Sequence, residues 1–126
     1  MLADTHAFLW FMLTDRRLSD RARAEIADPS NRVFVSPASY WEIAIKIQLG
    51  KFSLREDFGP FWRDGIAQAG LTILPISIRH AEALLDLPLH HRDPFDRMLA
   101  AQCLADGLTI VSADRTFDRY ELARIW

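Results

Sequence analysis

Cysteine is nearly absent from this chain: Cys103 stands alone. One thiol permits no disulfide framework, and no C-x-x-C pair exists for a metal or redox site. Cys103 falls on the apolar side of an expected helix and reads as a small core residue, in keeping with a reducing compartment. The sequence has no run of eighteen apolar residues to span a bilayer and no basic-then-apolar leader. The expectation is therefore a cytoplasmic protein without membrane contact. Excess positive charge is lacking too. Lys and Arg number 15 against 17 Asp and Glu, a net charge of −2. That argues against holding nucleic acid through a generally basic surface, but not against acting on it through a local site. Glycine-rich phosphate loops and a G-x-S-x-G elbow are also missing.

What is present is an ordinary globular balance over 126 residues, half of them hydrophobic. That suffices for one domain, residues 1–126, with a real core. The clearest unit starts at Asp93, an N-cap residue with Pro94 in the first helical position, where a missing N–H costs nothing. Ala100, Ala101, Cys103, Leu104 and Ala105 give that helix an apolar side, Gly107 ends it, and Leu108–Val111 reads as a buried strand. Earlier in the chain, Ser19 caps a helix running to about Ala27. Val33–Val35 is a strand, and Ser36-Pro37 opens a helix to about Leu49. Phe61–Ala69 is helical, Leu71–Leu74 is a strand, and Ser77 caps a helix over Ile78–Leu85. Leu122–Trp126 is a last strand, whereas Met1–Ala3 is too short for a convincing one. The apolar stretch Ala7–Leu13 predicts a helix either fully buried or shared with another chain. Strands alternating with helices point to a parallel sheet covered on both faces, which binds ligands beyond the carboxyl ends of its strands.

Asp4 and Asp114 both fall at such strand ends. Each also has a plainer reading, Asp4 as a helix cap and Asp114 as a turn aspartate. Asp96 lies in the first turn of its helix, where a carboxylate complements the dipole by ~0.3–1 kcal/mol without any chemistry. Asp93 is better explained as the cap. Ser39, Glu42 and Lys46 make one narrow polar stripe on an otherwise apolar helix. The stripe is either a solvated pair worth ~0.2–0.5 kcal/mol or the lining of a cleft. His90 and His91 lack ligand spacing and are read as non-ligating. Arg16, Arg17, Arg21 and Arg23 are read as a solvated face, with a phosphate-contact patch as the alternative. If Asp4, Glu42, Asp96 and Asp114 converge, their charges are tolerable only around a cation, and a hard ion such as Mg²⁺ or Mn²⁺ suits oxygen donors. The matching reaction class is phosphodiester hydrolysis.

Several blocks, in order, resemble one family. They are Leu2-Ala3-Asp4-Thr5-His6-Ala7 with Trp10, Val35-Ser36, Trp41-Glu42-Ile43-Ala44-Ile45-Lys46 and Leu49-Gly50-Lys51. His91-Arg92-Asp93-Pro94-Phe95-Asp96-Arg97, Ala105-Asp106-Gly107-Leu108 and Val111-Ser112-Ala113-Asp114 complete the set. Together they resemble PIN-domain ribonucleases, specifically VapC-type toxins of toxin–antitoxin pairs. The resemblance implies a PIN-like three-layer α/β/α fold with a central parallel sheet of four to five short strands. It implies Mg²⁺- or Mn²⁺-dependent cleavage of RNA, a cognate antitoxin, and a homodimer that can enter a higher toxin–antitoxin assembly. The family's acidic quartet falls on Asp4, Glu42, Asp96 and Asp114. Thr5 and Ser112 take the hydroxyl positions beside the first and last acids, and Asp93 and Asp118 match acids found nearby. The helix at Phe8–Leu13 is a candidate protein contact. Only three residues precede Asp4, which is short for the family and implies a clipped first strand or a start further upstream. The rival reading is a non-catalytic PIN-like scaffold that binds RNA or protein.

Overall fold

The computed structural model describes residues 1–126. Five two-residue strands, β1 (Leu2–Ala3), β2 (Phe34–Val35), β3 (Thr72–Ile73), β4 (Ile110–Val111) and β5 (Arg124–Ile125), pair in parallel in the order β3-β2-β1-β4-β5. Six α-helices connect them: α1 (Thr5–Met12), α2 (Asp20–Ala27), α3 (Pro37–Gln48), α4 (Phe58–Gln68), α5 (Ile78–Leu85) and α6 (Pro94–Asp106). A 3₁₀ helix, η1 (Arg115–Tyr120), precedes β5.

Side-chain alternation along the strands builds the two layers. Ala3, Val35 and Val111 share one cluster with Ala7, Phe8, Ala22, Ile26, Trp62 and Ile66, from α1, α2 and α4. Leu2 and Ile110, one residue away, join Leu99, Ala100, Cys103, Phe117 and Tyr120 in a second cluster. The helix α3 feeds both, with Ile43 in the first and Ala38 in the second. Phe8 anchors the first layer. Its ring stacks on Trp62 at 4.7 Å and meets Phe61 edge-on, so truncation to alanine costs ~3–5 kcal/mol.

Two expectations about the elements need correction. Met1–Ala3 does form a strand, and β1 is the central one. Its residues pair with β2 on one side and β4 on the other, Leu2 opposite both Phe34 and Ile110. Every strand here is two residues long, and pairing on both edges compensates for the shortness of β1. The helix expected over Phe61–Ala69 starts a turn earlier, at Phe58. Pro60 fits there because first-turn N–H groups have no intrahelical partner.

The apolar α1 is neither wholly buried nor wholly shared. Ala7, Phe8 and Leu9 are consumed by the core, Trp10, Phe11 and Met12 are half-buried, and Leu13 is exposed. On α6 the buried side includes Gln102, whose Nε2 donates to the Leu74 carbonyl at 3.2 Å, while Leu104 points outward. Gly107 ends α6 with φ +63°, a left-handed cap that lets Leu108 N–H reach the Cys103 carbonyl. No helix is long and apolar enough to cross a membrane.

In the sheet order, the crossover from β3 to β4 carries the chain to the other side of β1. The carboxyl ends of β1 and β4 therefore flank the point where strand order reverses, the place where open α/β sheets bind ligands.

Candidate active site

Three of the four acids owe their place to a helix start, whereas Glu42 lies within α3. Asp4 leaves β1 and caps α1, its Oδ1 accepting the Ala7 N–H at 2.6 Å. Asp93 caps α6, accepting the N–H groups of Phe95 and Asp96, and so fixes Asp96 in the first turn. Asp114 leaves β4 and caps η1, its Oδ1 accepting Thr116 N–H at 2.8 Å. Asp4 is thus the helix cap, and Asp114 the turn aspartate, of the plainer readings. A capping role leaves the second carboxylate oxygen of each free to serve elsewhere.

Asp96 and Asp114, with His91, form the tightest group, their candidate ligand atoms all within 4.8 Å of one another. Asp4 and Glu42 lie outside that group but within its field. Burial, followed by the like charges of Asp93, Glu42, Asp4 and Asp114, pushes the Asp96 carboxyl up to about 7. Burial also raises Asp4, opposed by the Ser112 hydroxyl, the Ala7 N–H and His6, and reinforced by Asp114. Asp114 moves the other way. Its partial burial is outweighed by hydrogen bonds from His91 and Thr116, which hold it below the usual carboxylate range.

Glu42 is buried, and its two oxygens are engaged. Oε1 accepts Lys46 Nζ at 2.7 Å, and Oε2 lies 2.9 Å from the Thr5 hydroxyl. Thr5 Oγ1 is also 2.9 Å from Ser39 Oγ. Having one proton, Thr5 donates to the carboxylate and accepts from Ser39. Ser112 neighbours Asp4 and Asp114: its Oγ accepts the Asp114 N–H at 3.0 Å, and its hydroxyl acts to lower the Asp4 carboxyl. Asp118 stands apart in an exposed pair with Arg124, Nε to Oδ1 at 2.6 Å, bracing η1 against β5.

The Asp96 side chain receives no hydrogen bond from the protein; only its backbone N–H is engaged. A half-buried carboxylate without a donor, in the field of four other acids, is the chemistry a hard divalent cation satisfies. Oxygen donors from Asp4, Asp96 and Asp114 suit Mg²⁺ or Mn²⁺, and the residues present fit such an ion.

The sequence matches the PIN domain family over residues 1–122. The chain belongs to the PIN domain family. The PIN domain also resembles a solved chain of VapBC2 from Rickettsia felis, determined bound to a DNA fragment from their promoter. The TM-score is 0.71 at 15% identity, covering 98% of this chain and 96% of that one. At that identity the likeness speaks for the fold. The sequence matches no curated protein.

His91 is the residue that sequence reasoning set aside. It is buried, and its Nε2 lies 2.7 Å from Asp114 Oδ2. Ligand spacing could not reveal it, because the contact joins the loop before α6 to the start of η1, 23 residues on.

Proposed function

We propose that this PIN domain is a metal-dependent endoribonuclease toxin of the VapC type, neutralised by a cognate antitoxin, with residues 1–126 acting as one domain. The observation that carries the proposal is Asp96, a half-buried carboxylate raised to about 7 by burial and by its acidic neighbours, with no donor from the protein. In this reading Asp4, Asp96 and Asp114 hold Mg²⁺ or Mn²⁺, and Glu42 completes the site through water, since Lys46 and Thr5 already engage its oxygens. The bound ion supplies polarisation of a phosphoryl oxygen and a water activated at neutral pH. The chain's own residues do the positioning. Ser112 holds Asp4 and Asp114 in one register, Thr5 orients Glu42, and Asp93 sets the helix start that presents Asp96. Lys46 serves Glu42 rather than substrate.

The likeness to a chain of a VapBC complex supports an antitoxin partner. A second copy of the chain is supported by apolar surface running from the edge strand β3 to the start of α5, where Ile73, Ile76 and Ile78 are exposed. The reading places the protein in the cytoplasm, on an RNA substrate.

The test is cleavage of RNA by purified protein. Mg²⁺ or Mn²⁺ should support turnover, EDTA should abolish it, and Asp4→Asn or Asp96→Asn should remove it while the fold survives. Cleavage by either variant at the wild-type rate contradicts the assignment. RNA binding that persists in EDTA without any turnover favours the scaffold reading instead.

A further inference from the structure

The imidazole beside Asp114 carries chemistry that the four acids do not account for. His91 sits in the loop between α5 and α6, nine-tenths buried, its ring 4.6 Å from Phe117 and stacked at 13° on Tyr120, 5.4 Å away. Nε2 lies 2.7 Å from Asp114 Oδ2 and Nδ1 3.0 Å from Tyr120 Oη, and the His91 backbone N–H donates to that same Oη at 2.8 Å. An ionised carboxylate only accepts, so Nε2 carries the proton. In the neutral ring Nδ1 is then bare and must accept the Tyr120 O–H. Every hydrogen in the chain from Tyr120 to His91 to Asp114 has a partner in this arrangement, and the backbone N–H pins the phenol where it is needed.

A protonated nitrogen has no lone pair to give a metal. From this geometry we propose that His91 is a positioning residue for Asp114, with Tyr120 fixing its tautomer, and that the imidazole stays out of the coordination sphere. Asp114 is held at both oxygens, by Thr116 N–H at 2.8 Å and by His91 at 2.7 Å. Its plane is set, and its remaining lone pairs are aimed without a search over rotamers. Outer-shell donors of this kind are worth about 10–100-fold in metal affinity. Excluding nitrogen also keeps the donor set all-oxygen, which favours Mg²⁺ and Mn²⁺ over softer ions. The inference rests on the metal-site reading above.

Three measurements test it without relying on activity. In metal-free protein, ¹⁵N NMR of the imidazole should show His91 protonated at Nε2 and bare at Nδ1; the reverse pattern overturns the assignment. In Mn²⁺-loaded wild type, pulsed EPR should show no coupling from a directly bound nitrogen, and such a coupling makes His91 a ligand and ends the proposal. Mn²⁺ titration should be weakened about 10–100-fold by His91→Ala and largely restored by His91→Gln, whose amide can donate to the same oxygen. Wild-type affinity in His91→Ala refutes the positioning role. Should the alanine variant not fold, the glutamine variant and the wild-type spectra still decide. Failure of the wild type to bind Mn²⁺ at all sinks the metal-site reading and this inference together, whereas tight wild-type binding unaffected by His91 sinks this inference alone.

Discussion

Asp96→Asn should make the metal-free protein more stable. The folded-state carboxyl rises from 3.8 to about 7 through burial and then the charges of Asp93, Glu42, Asp4 and Asp114. Between those two values the folded chain holds a proton that the unfolded chain has released, so stability falls as pH rises across that window. The penalty is complete above it and absent near the lower end. About three units correspond to ~4 kcal/mol. Part of the carboxylate still meets water, and screening reduces this to roughly 2 kcal/mol. Asparagine forfeits the favourable charge at the α6 N-terminus, ~0.3–1 kcal/mol. The net gain at pH 8 in EDTA is then about 1 kcal/mol, or a rise in Tm of about 4 °C, vanishing near pH 4. Adding Mn²⁺ works against that gain. At ten times its Kd the ion stabilises wild type by about 1.4 kcal/mol, and a variant lacking one ligand gains less. Thermal unfolding at pH 4 and pH 8, with EDTA or Mn²⁺, measures all four quantities. A variant less stable than wild type at pH 8 in EDTA, or stabilised equally by Mn²⁺, refutes the reasoning.

Other changes should separate structure from chemistry. Asp93→Ala removes the one oxygen that accepts two N–H groups at the start of α6 and should cost ~1 kcal/mol in urea denaturation. It should also lower the Asp96 carboxyl, moving the pH dependence of stability to lower pH. Lys46→Met leaves Glu42 buried without its cation. Its cost should exceed the ~0.2–0.5 kcal/mol of an exposed helix pair, and Glu42→Gln on the same background should recover most of the loss.

The sequence was legible where local chemistry and spatial outcome coincide. Ser19, Ser36 and Asp93 cap the helices expected of them, because an N-cap is decided within three or four residues. The alternation of strand and helix marked the layers, and the four acids named from strand ends, a helix start and a polar stripe enter one electrostatic neighbourhood. The strand at Leu2–Ala3 was not legible, because two residues carry no periodicity and owe their state to partners 32 and 108 positions away. His91 was hidden for the same reason, since Asp114 and Tyr120 reach it only after η1 folds back on the α5–α6 loop. The even choice at Glu42 had no local answer either. Burial, decided by packing across α1 and α3, took it out of solvent and left it bonded to Thr5 and Lys46.

The most direct test of the central claim is anomalous diffraction from crystals soaked in Mn²⁺. A peak among the carboxylates of Asp4, Asp96 and Asp114, with Glu42 joined through water and His91 at hydrogen-bond distance from Asp114 rather than on the ion, is the predicted result. Manganese bound only elsewhere, at a concentration that supports RNA cleavage, contradicts the account.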